Sequence, residues 1–147
     1  MRSKNAFSGS RLFDRLPTSA SIGLALTAIS AFATLFQGIT TFLSVPGFYF
    51  NFIYGSVNSE NLNLSQKLGL IIVIWASLEL AAIYFATGPR PVARFIVLAM
   101  AGVKLLAFIG YTRVTVSNWE YVFYVMFSAA PIILLLSRRS NEYYSSK

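Results

Sequence analysis

Apolar positions in this chain come in long blocks rather than alternating with polar ones, and four such blocks stand out. The first covers residues 19–45 and stops at Pro46-Gly47. The second covers 68–87 and stops at Gly88-Pro89-Arg90-Pro91, where two prolines and a glycine prevent a helix from continuing. The third, 93–111, follows at once, and the fourth, 119–137, ends at Arg138-Arg139. Roughly 20 apolar residues at about 1.5 Å rise each cross the hydrocarbon layer of a bilayer. The pattern therefore predicts four lipid-spanning helices. Pro131, inside the fourth, predicts a kink, because its ring removes a backbone hydrogen bond and crowds the preceding turn.

Composition points to the same solvent. Of the 147 residues 56% are apolar and only 12% charged, against roughly 25% charged in a soluble domain. The net charge of +7 is distributed by side. Arg2, Lys4, Arg11 and Arg15 precede the first span, Arg90 and Arg94 lie between the second and third, and Arg138, Arg139 and Lys147 follow the fourth. The opposite loops hold only Lys67 and Arg113. Basic residues are retained in the cytoplasm, so the expected fold is an all-α integral membrane four-helix bundle with both termini cytoplasmic. Its divisions are a basic cytoplasmic arm (1–18), a four-span domain (19–137) and a cytoplasmic tail (138–147) whose polar composition suggests disorder. The expected location is a bacterial inner (plasma) membrane or an equivalent energy-transducing membrane. A cleaved signal peptide ending at Ala31-Phe32-Ala33 competes for the start, but apolar character continues past it through Leu35, Phe36, Ile39, Phe42 and Leu43.

There is no Cys and no His. Disulfides, thiolate nucleophiles, imidazole bases, the usual zinc sites and His-ligated haem are thereby excluded. The five acids, Asp14, Glu60, Glu79, Glu120 and Glu142, are scattered rather than grouped. No catalytic, cofactor or metal site is expected. The basic residues sit at the ends of apolar blocks instead of forming a groove, so their expected partners are anionic lipid headgroups and not nucleic acid.

The connecting segments add little chemistry. Residues 48–55, Phe48-Tyr49-Phe50-Asn51-Phe52-Ile53-Tyr54-Gly55, read either as an aromatic belt at the headgroup boundary or as a rim closing over a cavity. A solvated loop with Asn58, Asn61 and Asn63 follows, and Asn63-Leu64-Ser65 matches a glycosylation sequon on the predicted outer side. In the arm, Leu12, Phe13 and Leu16 alongside Arg11 and Arg15 suit either a short interfacial helix or a solvated retention signal.

Charges deep inside spans cost about 2.5–3.5 kcal/mol on insertion scales, and away from the span ends there are two, Glu79 and Lys104. Glu79 lies about 12 Å from the cytoplasmic end of its span and Lys104 about 16 Å from that end of the next. The short loop between them makes these spans antiparallel neighbours, so an ion pair is expected. It either locks the hairpin or lines a polar cavity in which Glu79 titrates, with Gln37 the additional polar group at that depth; alternatively Lys104 snorkels to an interface. Ser19, Gly23, Thr27 and Ala31 form a small-residue stripe that admits a close helix partner, in this chain or another. Ser77, Ala81, Ala82 and Ala86 give the second span a similar face, and Gly102 the third.

The layout of long first span, aromatic outer segment, Gly-Pro-Arg-Pro hinge, two closely spaced spans and Arg-Arg stop resembles, over residues 19–139, small DoxX-like four-helix membrane proteins. That resemblance implies an accessory membrane role, sometimes near respiratory or redox components, and transfers no functional residue. The functional expectation is a non-catalytic accessory or assembly subunit that contacts other membrane subunits or copies of itself. From a different class, the alternative is a small oligomeric transporter or channel subunit using Glu79 and Lys104.

Overall fold

Proline and glycine set where most of the helices start and stop. The computed structural model describes residues 16–43, 62–111 and 118–145, apart from the side chains at positions 62, 63, 65, 108, 110, 111, 118–121, 123 and 124. Every described element is a helix: α1 Thr18–Phe42, α2 Leu62–Ala86, α3 Pro91–Tyr111, α4 Asn118–Leu135 and α5 Arg138–Ser145. Extended Pro17 opens α1, its carbonyl accepting from Ser21 N–H at 2.9 Å. Helix α2 closes with Thr87 and Gly88 N–H groups donating three residues back to Tyr84 and Phe85 carbonyls, the tightening usual at a helix end. Pro91 then begins α3, a position where its missing N–H is harmless. Helix α4 continues through Pro131 to Leu135.

Three expectations are corrected. The tail is not disordered but forms α5, because its two tyrosines find partners that composition does not reveal. Helix α2 starts at Leu62 rather than near 68, so Asn63-Leu64-Ser65 and Lys67 belong to its first turns instead of a loop. Gly102 gives no packing face towards the described residues of this chain, since a Cβ there would meet nothing within 4 Å. The aromatic segment 48–55, residues 1–15 of the arm and Arg113 lie outside the described residues.

The long helices pack as a ring, α1 on α2, α2 on α3, α3 on α4 and α4 back on α1. Packing is most extensive between α1 and α2, and two glycines explain it. A Cβ added at Gly69 would lie 2.5 Å from Phe42 N and 2.9 Å from Gly38 O. One added at Gly38 would lie 2.9 Å from Val73 N. The two backbones touch at this crossing, which only residues without side chains permit. Thr18–Phe42 and Gln66–Ala86 are each long and apolar enough to cross a membrane, and Val125–Leu135 is a shorter apolar stretch.

Candidate functional site

An ion pair crosses the interior of the ring at one level. Glu79 is 0% exposed on α2, and Lys104 of α3 places Nζ 2.5 Å from its Oε2. The contact is an ion pair across the α2–α3 interface. The same Nζ donates to Ser30 Oγ on α1 at 3.3 Å, which carries the lysine across the ring. Its side chain is 18% exposed. Glu79 Oε1 is buried and has no hydrogen-bond partner among the described residues.

Helix register adds a fourth member. Gly23 of α1 faces Leu134 and Leu135 of α4, with Leu135 Cγ 3.2 Å from the position of a Cβ. Running seven residues onward in α1 and seven back in antiparallel α4 reaches Ser30 and Ser128, and Ser128 is buried. Each long helix thus brings one polar residue to a common level: Ser30, Glu79, Lys104 and Ser128. Spacing alone gives no reason to select the two serines, which are common in such helices.

Gln37 does not join this layer. It is buried seven residues beyond Ser30, about 10 Å along the axis, beside the Gly38 crossing. The small-residue stripe on α1 faces α4 of the same chain. Ala31 is fully buried, Thr27 returns its hydroxyl to Gly23 O at 2.9 Å, and Ser19 shares hydroxyl contacts with Ser137 at 2.9 Å and Ser140 at 3.0 Å. On α2 the expected small face divides: Ala82 and Ala86 are buried, Ser77 and Ala81 exposed.

At the base, α5 ties the ring together. Tyr144, 3% exposed, donates its hydroxyl to Ala86 O at 2.5 Å, and Tyr143 donates to Thr87 O at 3.1 Å. Both acceptors are terminal carbonyls of α2 that lack helical partners. The Arg94 guanidinium lies over the Tyr144 ring at 5.2 Å and donates to Asn141 Oδ1. Burial, with Tyr143 alongside, pushes the Tyr144 phenol up to about 12, against the opposing pull of Arg94. Among the described residues no three His, Cys, Asp or Glu side chains come together as metal ligands would.

No family model, no curated protein and no solved structure matches the chain.

Proposed function

We propose that this is a multi-pass integral membrane protein with α1 to α4 as its four spans and both ends in the cytoplasm. It acts as a non-catalytic accessory or assembly subunit, contacting other membrane subunits or copies of itself through its outer faces. One observation carries the reading: every long helix turns large apolar side chains outward while Glu79 and Lys104 meet inside. Phe32 of α1, Ile71 of α2, Phe95 of α3 and Ile133 of α4 are each at least 60% exposed, whereas Glu79 is 0%. In water that arrangement forfeits hydrophobic burial at about 25 cal/mol per Å²; in hydrocarbon it costs nothing. Inside the ring, Glu79 and Lys104 neutralise each other, which leaves the outer faces as the working surface. The bacterial inner membrane or an equivalent energy-transducing membrane suits this reading, as does the layout shared with DoxX-like proteins.

Affinity purification of the full chain in mild detergent tests the role. A stoichiometric larger partner is expected, and a clean homo-oligomer counts against the accessory reading. Orientation is tested separately, because the cysteine-free sequence lets single cysteines report without background. Ser3→Cys and Ser146→Cys should both react with an impermeant maleimide only after the cytoplasmic face is opened. Labelling from opposite faces would defeat the four-span reading. One observation favours the transporter alternative, the unpartnered Oε1 of Glu79, and pH-dependent flux in vesicles that vanishes in Glu79→Gln would select it.

A further inference from the structure

Oε1 of Glu79 is a buried acceptor with no donor among the described residues, in a layer whose one carboxylate already faces an ammonium. A charged acceptor out of water needs a partner, and the chemistry of the layer narrows what that partner is. A metal cation needs several oxygen ligands, and the pair supplies one carboxylate balanced by one ammonium at 2.5 Å. An anion is repelled by the carboxylate. A proton needs no cavity and removes the acceptor's charge.

We propose that Glu79 Oε1 is a proton-binding site at the centre of the bundle. The proposal rests on the membrane-spanning reading but on neither of the two roles. Uptake of one proton from a hydronium ion forms an O–H bond on Oε1, breaks one in the hydronium and leaves water. The layer then changes from zero net charge to +1. Lys104 loses its anionic partner, keeps Ser30 Oγ at 3.3 Å, and is the charged member with a partly exposed side chain through which to reach water. Protonation therefore releases the tie between α2 and α3, and deprotonation restores it.

Among the described residues, Glu79 faces one charged group. Helix α1 holds no charged or titratable residue between Leu16 and Leu43. On α3 Lys104 faces Glu79, and Arg94 is ten residues away, about 15 Å towards the base. On α2 itself Lys67 is twelve residues away, and Tyr84 is exposed. The titratable residues of α4, Glu120, Tyr121 and Tyr124, have side chains outside those described.

Infrared difference spectroscopy of the full chain in phosphatidylcholine vesicles, neutral minus acidic, tests this. A protonated-carboxyl carbonyl band should grow on acidification in the wild type and be missing from Glu79→Gln. An identical band in both proteins would overturn the proposal. Should Glu79→Gln fail to fold, Glu79→Asp should displace the same band. A second readout uses the wild type alone. Dicyclohexylcarbodiimide adds to a protonated carboxyl, whose proton passes to a carbodiimide nitrogen as the new C–O bond forms. Peptide mass spectrometry should then find the adduct on Glu79, rising as pH falls. A pH-independent yield, or no adduct on Glu79, would count against the site. Retention of helical protein in the vesicles keeps the membrane reading whichever way these results fall.

Discussion

The backbone contact between Gly38 and Gly69 makes a sharp prediction about α1 and α2. In Gly69→Ala the new methyl would sit 2.5 Å from Phe42 N, 2.8 Å from Phe42 Cα and 2.9 Å from Gly38 O. Ordinary contact is about 3.5–4.0 Å, so the helices must separate by about 1 Å, and no flexible side chain is available to yield instead. Overpacking of this kind costs about 1–3 kcal/mol. Exchanging glycine for alanine within a helix also returns about 1 kcal/mol of propensity. Gly102→Ala is the matched control, since it gains the same propensity and its methyl meets nothing within 4 Å. The difference between the two variants isolates the steric cost, about 5- to 150-fold in the unfolding equilibrium. Titration with sodium dodecyl sulfate from dodecylmaltoside micelles, followed by circular dichroism, measures it. Coincident curves for Gly69→Ala and Gly102→Ala would refute the close crossing.

Two further predictions use the same titration. Lys104→Met strands Glu79 fully buried and should cost about 3–5 kcal/mol. Glu79→Gln should cost less, because Lys104 keeps Ser30 and is 18% exposed, and the double variant should recover most of the loss; additive losses would show the pair to be uncoupled. Tyr144→Phe removes the donor to Ala86 O and should cost about 0.5–1.5 kcal/mol, and a stability equal to wild type would show that the cap does not hold. The Tyr144 phenol is pushed up to about 12 from 10.0, so the folded state binds more protons above the unfolded value. Its contribution is therefore full below about pH 10 and lost as pH rises towards about 12; no alkaline difference between wild type and Tyr144→Phe would contradict this.

How far the sequence was legible varied with the kind of signal. Apolar blocks flanked by proline and glycine mark the long helices, because hydrocarbon-length runs and helix breakers are local properties of the chain. The Glu79–Lys104 proximity followed from counting residues from a short loop, which constrains depth on both sides. Gln37 was misplaced by the same counting, since α1 has no short loop to α2 to tie its register. Register instead comes from Gly38 on Gly69, and a glycine within an apolar block does not announce its partner. Helix α5 was unreadable for another reason: its polar residues look solvated, and what orders them is a pair of tyrosine hydroxyls reaching carbonyls 56 and 58 residues away in sequence.

On the proposed membrane reading, hydrocarbon supplies no hydrophobic term between helices, so close packing and polar contacts must hold them together. These are unevenly shared around the ring. Helix α1 holds α2 by touching backbones at Gly38 and Gly69, meets α4 at Gly23, and meets the α4–α5 junction and α5 through the hydroxyls of Ser19, Ser137 and Ser140. On helix α3 a Cβ at the described glycine, Gly102, would meet nothing within 4 Å. The specific ties of α3 are polar ones, Lys104 to Glu79 and Ser30 near the centre and Arg94 to Asn141 and Tyr144 at the base. The same proton that neutralises Glu79 would thus act on a polar tie of α3, which also buries Ala93 and Val97 in the apolar core, while the contacts at Gly23, Gly38 and Gly69, which hold no titrating group, stay as they are.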